Sequence, residues 1–214
     1  MNFSDYSTFI FDCDGVILDS NRVKTIAFYN AALPYGKLAA QALVDYHVTN
    51  GGVSRYKKFD YFLTELISEV DPNYGLEQLL RTYAQEVAEG LENCEVAAGL
   101  EILKAKMPES SWLIVSGGDQ NELRNLFDVR NLSYLFQGGI YGSPNSKDEI
   151  LQREILAGNI QFPALFFGDS QYDYEAAKRA KMDFVFVSDW SESNFDFQGA
   201  DMKICRLIDM LKYI

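Results

Sequence analysis

Thr8-Phe9-Ile10-Phe11-Asp12-Cys13-Asp14-Gly15-Val16-Ile17-Leu18-Asp19 is the stretch that decides the fold. Its first four residues are an aromatic and β-branched run, the composition of a buried strand. The run stops at two aspartates and a glycine. Similar apolar runs follow at residues 112–115, 164–167 and 184–187, with a weaker one at 139–141. Helical patterns lie between them. Strands alternating with helices predict an α/β fold: a doubly wound parallel sheet with both faces covered. Ligands of such sheets sit beyond the carboxyl ends of the strands. The polar residues that end each run are therefore the place to look for chemistry.

The gap after the first run is abnormal. About 100 residues separate Asp12 from Trp112, where a crossover connection needs only about a dozen. The intervening chain reads as helical at 21–32, 38–46 and 76–91. Between these, Tyr56, Phe59, Phe62, Leu63, Leu66, Ile67 and Val70 follow a 3–4 spacing. Residues 20–93 thus read as a helical insertion, and residues 1–19 with 94–214 as the α/β core. A chain of 214 residues suits one core plus such an insert.

Composition narrows the function. The net charge of −12 disfavours general nucleic-acid binding, which rests on neutralising phosphates, and anionic membrane surfaces likewise. No apolar run is long enough to span a membrane, and residues 1–5 lack the order of a signal peptide. Three cysteines, odd in number and without metal-ligand spacing, suit a reducing cytoplasm. One histidine, His47, rules against His-rich metal sites and a Ser-His-Asp triad. Carboxylates and lysines must carry any catalysis.

Each strong strand delivers such groups. The first gives Asp12 and Asp14, the second Ser116-Gly117-Gly118, and the third Gly168-Asp169-Ser170 with Asp173; Lys147 begins a helix before the third. Oxygen ligands without imidazole or thiolate suit Mg²⁺, bound through one or two carboxylates plus a phosphate. Mg²⁺ and Lys147 would offset phosphoryl charge. Asp12 can be a nucleophile, forming an aspartyl-phosphate. Asp14, two residues on along extended chain and so on the same side, can protonate the leaving oxygen and then activate water.

These residues resemble the haloacid dehalogenase-like hydrolase superfamily, in its subgroup with a helical cap after the first strand. The motifs occur in order, Asp12-Cys13-Asp14-Gly15-Val16, Ser116, Lys147 and Gly168-Asp169-Ser170-x-x-Asp173, and the resemblance covers essentially the whole chain. It implies a Rossmann-like core, Asp12 as nucleophile, Asp14 as acid/base, and Ser116 and Lys147 as phosphate binders. It also implies a Mg²⁺ ion held by Asp12, Asp169 and the backbone carbonyl of Asp14. Phosphatases and phosphomutases of the family keep an aspartate at Asp14. The mutases carry a histidine five residues after the place of Asp19, where this chain has Lys24. The expected activity is a Mg²⁺-dependent phosphatase acting on a small phosphorylated metabolite, such as a sugar phosphate, as a monomer or homodimer. A β-phosphoglucomutase-like transfer is disfavoured by Lys24, and a phospho-acceptor signalling module by the position of Asp12 and the insertion. A catalytically idle binding protein is disfavoured by the full motif set.

Several of these residues also have structural readings. Ser146-Lys147-Asp148-Glu149 is a capping box, but it does not explain a lysine at the first helical position, which the helix dipole disfavours unless an anion lies nearby. Asp173 suits both a helix cap over Ser170 and a metal ligand. Asp119 reads as a cap. Gly117 fits a tight turn, an approach of backbone N–H to phosphate, or both. In the insertion, Lys24 near the hinge and the segment Asn50-Gly51-Gly52-Val53-Ser54-Arg55 are candidates for substrate contact. The segment is a glycine turn leading into a basic helix start, and the resembling family has its specificity loop here. Arg55, Lys57 and Lys58 also read as a solvated helix face, Cys13 as a small buried hydrophobe, Tyr56, Phe59 and Phe62 as insert core, and His47 as structural or solvated.

Overall fold

The computed structural model describes residues 2–69, 71 and 73–214. Met1 and Val70, both used above, lie outside the described residues. In chain order, strand β1 (Thr8–Phe11) is followed by helices α1 (Asn21–Ala32), α2 (Lys37–Thr49), α3 (Arg55–Tyr61), α4 (Leu76–Asn93) and α5 (Leu100–Lys106). Then come β2 (Ser111–Asp119), α6 (Gln120–Val129), β3 (Gly139–Ser143), α7 (Lys147–Leu156), β4 (Ala164–Gly168), α8 (Gln171–Arg179), β5 (Asp183–Val187) and β6 (Met202–Ile204). The six strands form one sheet in the order β3-β2-β1-β4-β5-β6, all pairs parallel.

β1 lies inside the sheet, with Phe9 opposite Trp112 on one side and Leu165 on the other. Its four residues are all buried, which is why the run alternates nothing and reads as continuously apolar. The strand pleat still sorts them: Phe9 and Phe11 pack with Trp112, Ile114 and Phe167 on one face, Ile10 with Leu113, Val115 and Phe166 on the other. Cys13 joins the first face, fully buried, as expected of a small hydrophobe.

The sheet order places the change of winding direction at β1, where neighbours β2 and β4 lead away to opposite edges. The carboxyl ends of β1, β2 and β4 therefore share one crevice. The helical insertion has its own core of Phe28, Leu43, Phe59, Phe62, Leu79 and Tyr83. The two chain segments that join it to the sheet run side by side, with Leu18 bridged to Val96 and Asp19 N–H donating to Glu95 O at 2.9 Å.

Two details differ from the sequence expectation. The helix expected through residue 70 is α only to Tyr61 and then widens into a π-helical turn, Phe62–Leu66, before Ile67 turns extended. Phe62, Leu63, Leu66 and Ile67 all still reach the insert's core. β6 was not expected: three residues with exposed Lys203 at the centre carry no readable period. No described helix is long and apolar enough to cross a membrane.

Candidate active site

The three strand ends and the start of α7 bring the sequence candidates together. Asp12 N–H donates to Phe167 O at 2.9 Å, extending the β1–β4 ladder by one residue and fixing the Asp12 backbone. The chain then turns sharply, with Ile17 and Leu18 N–H both on Cys13 O. Gly15, at φ +75°, makes that turn possible, and a Cβ there would fall 2.2 Å from Asp169 Oδ2. At the end of β2, buried Ser116 accepts from Gly118 N–H at 3.1 Å. Ser143 of β3 donates to Gly117 O at 2.5 Å, pinning this loop.

Lys147, 1 % exposed, is the first residue of α7, and both expected capping contacts between Ser146 and Glu149 are present. The anion that a lysine at this position calls for is there twice over. Its ammonium lies 2.8 Å from Asp12 Oδ1 and forms a second ion pair with Asp173. Asp173 accepts through its other oxygen from Ser170 N–H at 3.1 Å, and so is both a cap and a member of the charge cluster. Asp119 caps α6, as its sequence position suggested.

Asp12, Asp169 and Asp173 are all buried, and each offers an oxygen within 4.8 Å of the others. One lysine cannot neutralise three buried carboxylates. Burial first, and the Asp173 charge second, push the Asp12 carboxyl up to about 7, although Lys147 pulls the other way. Burial, then the charges of Asp12 and Asp173, raise Asp169 well above the ordinary carboxylate range. Although close to Lys147, Asp12 Oδ1 accepts no hydrogen bond of good geometry. A buried, all-oxygen cluster with more carboxylates than cations fits a hard divalent cation such as Mg²⁺. Asp169 offers it the freer carboxylate. Asp173 has both oxygens engaged.

Asp14 is in a different state. Ser20 Oγ donates to its Oδ1 at 2.6 Å and Lys24 Nζ to its Oδ2 at 2.5 Å. Burial alone would raise this carboxyl, but Lys24 and Ser20 outweigh it and hold Asp14 below the usual value. Lys24, on α1, therefore reaches the strand ends directly.

The insertion closes over this cluster. The cavity between them is about 80 Å³ and is lined by Asp12, Asp14, Lys24, Arg55, Gly117 and Asp169, among others, so it suits a compact molecule. Of the specificity candidates, Gly51 and Gly52 line it, whereas Asn50 and Ser54 do not. Asn50 ends α2 and bonds back to Tyr46 O, and Ser54 caps α3. Their side chains are spent on helix ends. Gly52 O approaches the core so closely that a Cβ on Gly117 would lie 2.2 Å from it. Here Gly117 provides the tight approach of the two layers.

Arg55 does not reach free into the cavity. Its two terminal nitrogens each lie 2.7 Å from a Glu122 carboxylate oxygen, a bidentate pair from insertion to core. Tyr56 Oη donates to Asp119 Oδ2 at 2.9 Å beside it, so it too joins the layers instead of serving only as insert core. Arg55→Ala should therefore lower kcat/KM by a similar factor for every ester tried, because it loosens closure. A loss confined to one substrate, measured against p-nitrophenyl phosphate, would make Arg55 a reader of substrate instead.

Sequence reasoning missed three residues here. Asn21, the first residue of α1, donates to Asp169 Oδ2 at 2.7 Å and to Trp190 O at 2.9 Å. Glu122, in the first turn of α6, is the partner of Arg55. Lys58, assigned to a solvated face with Arg55 and Lys57, is 1 % exposed. Its spacing held the signal: Lys58 stands four residues before Phe62 and next to Phe59, on the face that packs inward. His47, also lining the cavity, lies 2.7 Å through Nδ1 from Lys58 Nζ.

Comparison with known proteins agrees with this geometry. The family model described as haloacid dehalogenase-like hydrolase matches residues 9–187, and the chain belongs to that family. No curated protein matches it in sequence. Among solved structures, it is similar to a "predicted phosphoglycolate phosphatase" from Haemophilus somnus 129pt, at 18 % identity, TM-score 0.76, covering 97 % of each chain. It is also similar to CbbY from Rhodobacter sphaeroides in complex with phosphate, at 16 % identity and TM-score 0.72, covering 96 % of each chain. A mutant form of CbbY in complex with xylulose-(1,5)bisphosphate gives 16 % and 0.71, covering 93 % of each. At these identities the likeness is one of fold.

Proposed function

We propose that the chain is a Mg²⁺-dependent phosphatase that hydrolyses a small phosphorylated metabolite, with sugar phosphates among the candidates, through an aspartyl-phosphate on Asp12. One observation carries this reading. The buried Asp12 carboxylate stands against Lys147, beside two further buried carboxylates, in a cavity between the insertion and the strand ends. The names and ligands of the structural neighbours, a "predicted phosphoglycolate phosphatase" and CbbY in complex with phosphate or, as a mutant, with xylulose-(1,5)bisphosphate, point the same way.

In this reading Asp12 attacks phosphorus, its oxygen forming the new P–O bond as the bond to the leaving oxygen breaks. Lys147 and the N–H groups around Ser116 and Gly117 hold the phosphoryl oxygens. The leaving oxygen takes its proton from the hydrogen-bonded Asp14–Lys24 pair. Asp14, ionised beside Lys24, then accepts a proton from the water that attacks the phosphoryl group and frees Asp12. Mg²⁺, held by Asp12, Asp169 and the Asp14 carbonyl with Asp173 close behind, would supply positive charge against the transferring group. Lys24 at this position, instead of an acid/base histidine, favours water as acceptor over a second sugar hydroxyl. Residues 20–93 act as the cap on the 1–19 and 94–214 core, excluding bulk water from the phosphorylated aspartate. Free Cys13, Cys94 and Cys205 fit a cytoplasmic setting.

The test is a phosphate-release screen over sugar phosphates, phosphorylated acids and nucleotides, run with Mg²⁺ and with a chelator. Turnover of one small class, lost on chelation and restored by Mg²⁺, is expected. Release that persists in the chelator, or none from any ester, overturns the reading.

A further inference from the structure

Four cationic side chains surround the cavity or its floor, and three are neutralised. Lys147 is paired with Asp12 and Asp173, Lys24 with Asp14, and Arg55 with Glu122. Lys58 is the exception: among the described residues no carboxylate lies within ion-pair distance of it. Its nitrogen contacts His47 Nδ1 at 2.7 Å, His47 O at 3.5 Å, and the Phe28 ring, 5.4 Å from its centroid. His47 itself is held neutral, since burial and then the Lys58 and Lys24 charges keep its pKa well below the ordinary value. A neutral imidazole can accept one ammonium hydrogen but supplies no counter-charge. Burial of this kind, without an acid, is costly for a lysine and pushes it down to about 7. Such a group is retained where something arrives to pair with it. Lys58 and His47 line the same cavity as Asp12.

We propose, building on the phosphatase reading, that Lys58 backed by His47 binds a second anionic group of the substrate, a carboxylate or a second phosphate, while the scissile phosphate lies on Asp12. The substrate class is then a compact phosphorylated acid or bisphosphate, and a neutral phosphate ester leaves Lys58 unpaired. Lys58 determines specificity and takes no part in bond breaking. Unlike Arg55, it is not needed to join the cap to the core.

Binding of three carbon–phosphorus probes, which release no phosphate, tests this in the Mg²⁺-loaded protein by calorimetry. Ethylphosphonate has a neutral tail, 3-phosphonopropionate adds a carboxylate and ethylene-1,2-bisphosphonate a second phosphonate on the same spacer. The wild-type chain should bind one anionic probe roughly ten- to a hundred-fold more tightly than ethylphosphonate, the scale of a charge-assisted hydrogen bond. Which probe wins tells carboxylate from phosphate. Lys58→Met should remove that margin and leave ethylphosphonate affinity unchanged. Lys58→Gln, which keeps a donor for His47 and loses the charge, should do the same and guards against a folding defect in the first variant. No margin in the wild type, or a margin that survives in Lys58→Gln, overturns the proposal. Tight binding through Lys58 without phosphate release from any ester would instead defeat only the phosphatase reading.

Discussion

Asp12→Asn should reduce phosphate release by at least about 10⁴-fold and, in a chelator, leave the protein as stable as wild type or more so. The loss follows from chemistry, since the amide keeps the shape of the side chain but is not the carboxylate nucleophile. The stability follows from the crowding. Asp12 is 2 % exposed and shares its space with Asp169 and Asp173. Its carboxyl is raised to about 7 by burial and then by Asp173. A carboxyl raised on folding contributes stability below its unfolded value near 4, and that contribution is lost as pH rises through about 7. The metal-free wild type should thus melt at falling temperature from pH 5 to pH 8, with Asp12→Asn showing a flatter profile. Mg²⁺ should raise the wild-type Tm more than that of the variant. Substantial release by a clean preparation of Asp12→Asn removes Asp12 from its role; a large fall in its metal-free Tm removes the crowding argument.

Lys147→Met should be the most destabilising single change in the site. Burial works against the Lys147 charge, but Asp12 and Asp173 outweigh it and hold the ammonium above the ordinary lysine range. The methionine fills similar space and leaves the carboxylates without their cation. Breaking a buried pair in this way costs about 3–5 kcal/mol. For a chain of this size each kcal/mol lowers Tm by about 2–4 °C, giving a fall of roughly 6–20 °C at pH 8 in a chelator. The fall should shrink at pH 5, where the Asp12 carboxyl, raised to about 7, is protonated, and shrink again with Mg²⁺. Turnover should fail for all esters, because the phosphoryl group is common to them. A Tm shift within a degree or two at pH 8 would show that the three carboxylates do not depend on Lys147.

The two variants probe what was legible at different levels. The α/β core was legible because a strand buried on both faces leaves a continuous apolar run, and because the polar residues Asp12, Ser116 and Asp169 stop those runs at their carboxyl ends. The insertion was legible as a gap too long for a crossover. Lys147 was legible as a conflict: a cation at a helix start needs an anion nearby, and the fold supplies Asp12 and Asp173. β6 was not legible, since three residues around an exposed lysine have no period.

What the sequence determined by itself was the set of groups that local patterns place at strand and helix ends, because backbone geometry fixes those positions within a few residues. What only the tertiary structure decided was how the two layers meet. Arg55 was read as facing substrate or solvent, and the structure pairs it with Glu122, 67 positions away. Asn50 and Ser54 were drawn into their own helix ends, and Asn21 was brought to Asp169 across 148 positions. Lys58 was assigned to solvent and is buried. These outcomes depend on the docking of α1 and α3 over the strand ends. Charge pairing and desolvation between residues distant in sequence are set by that docking, and no local spacing encodes them.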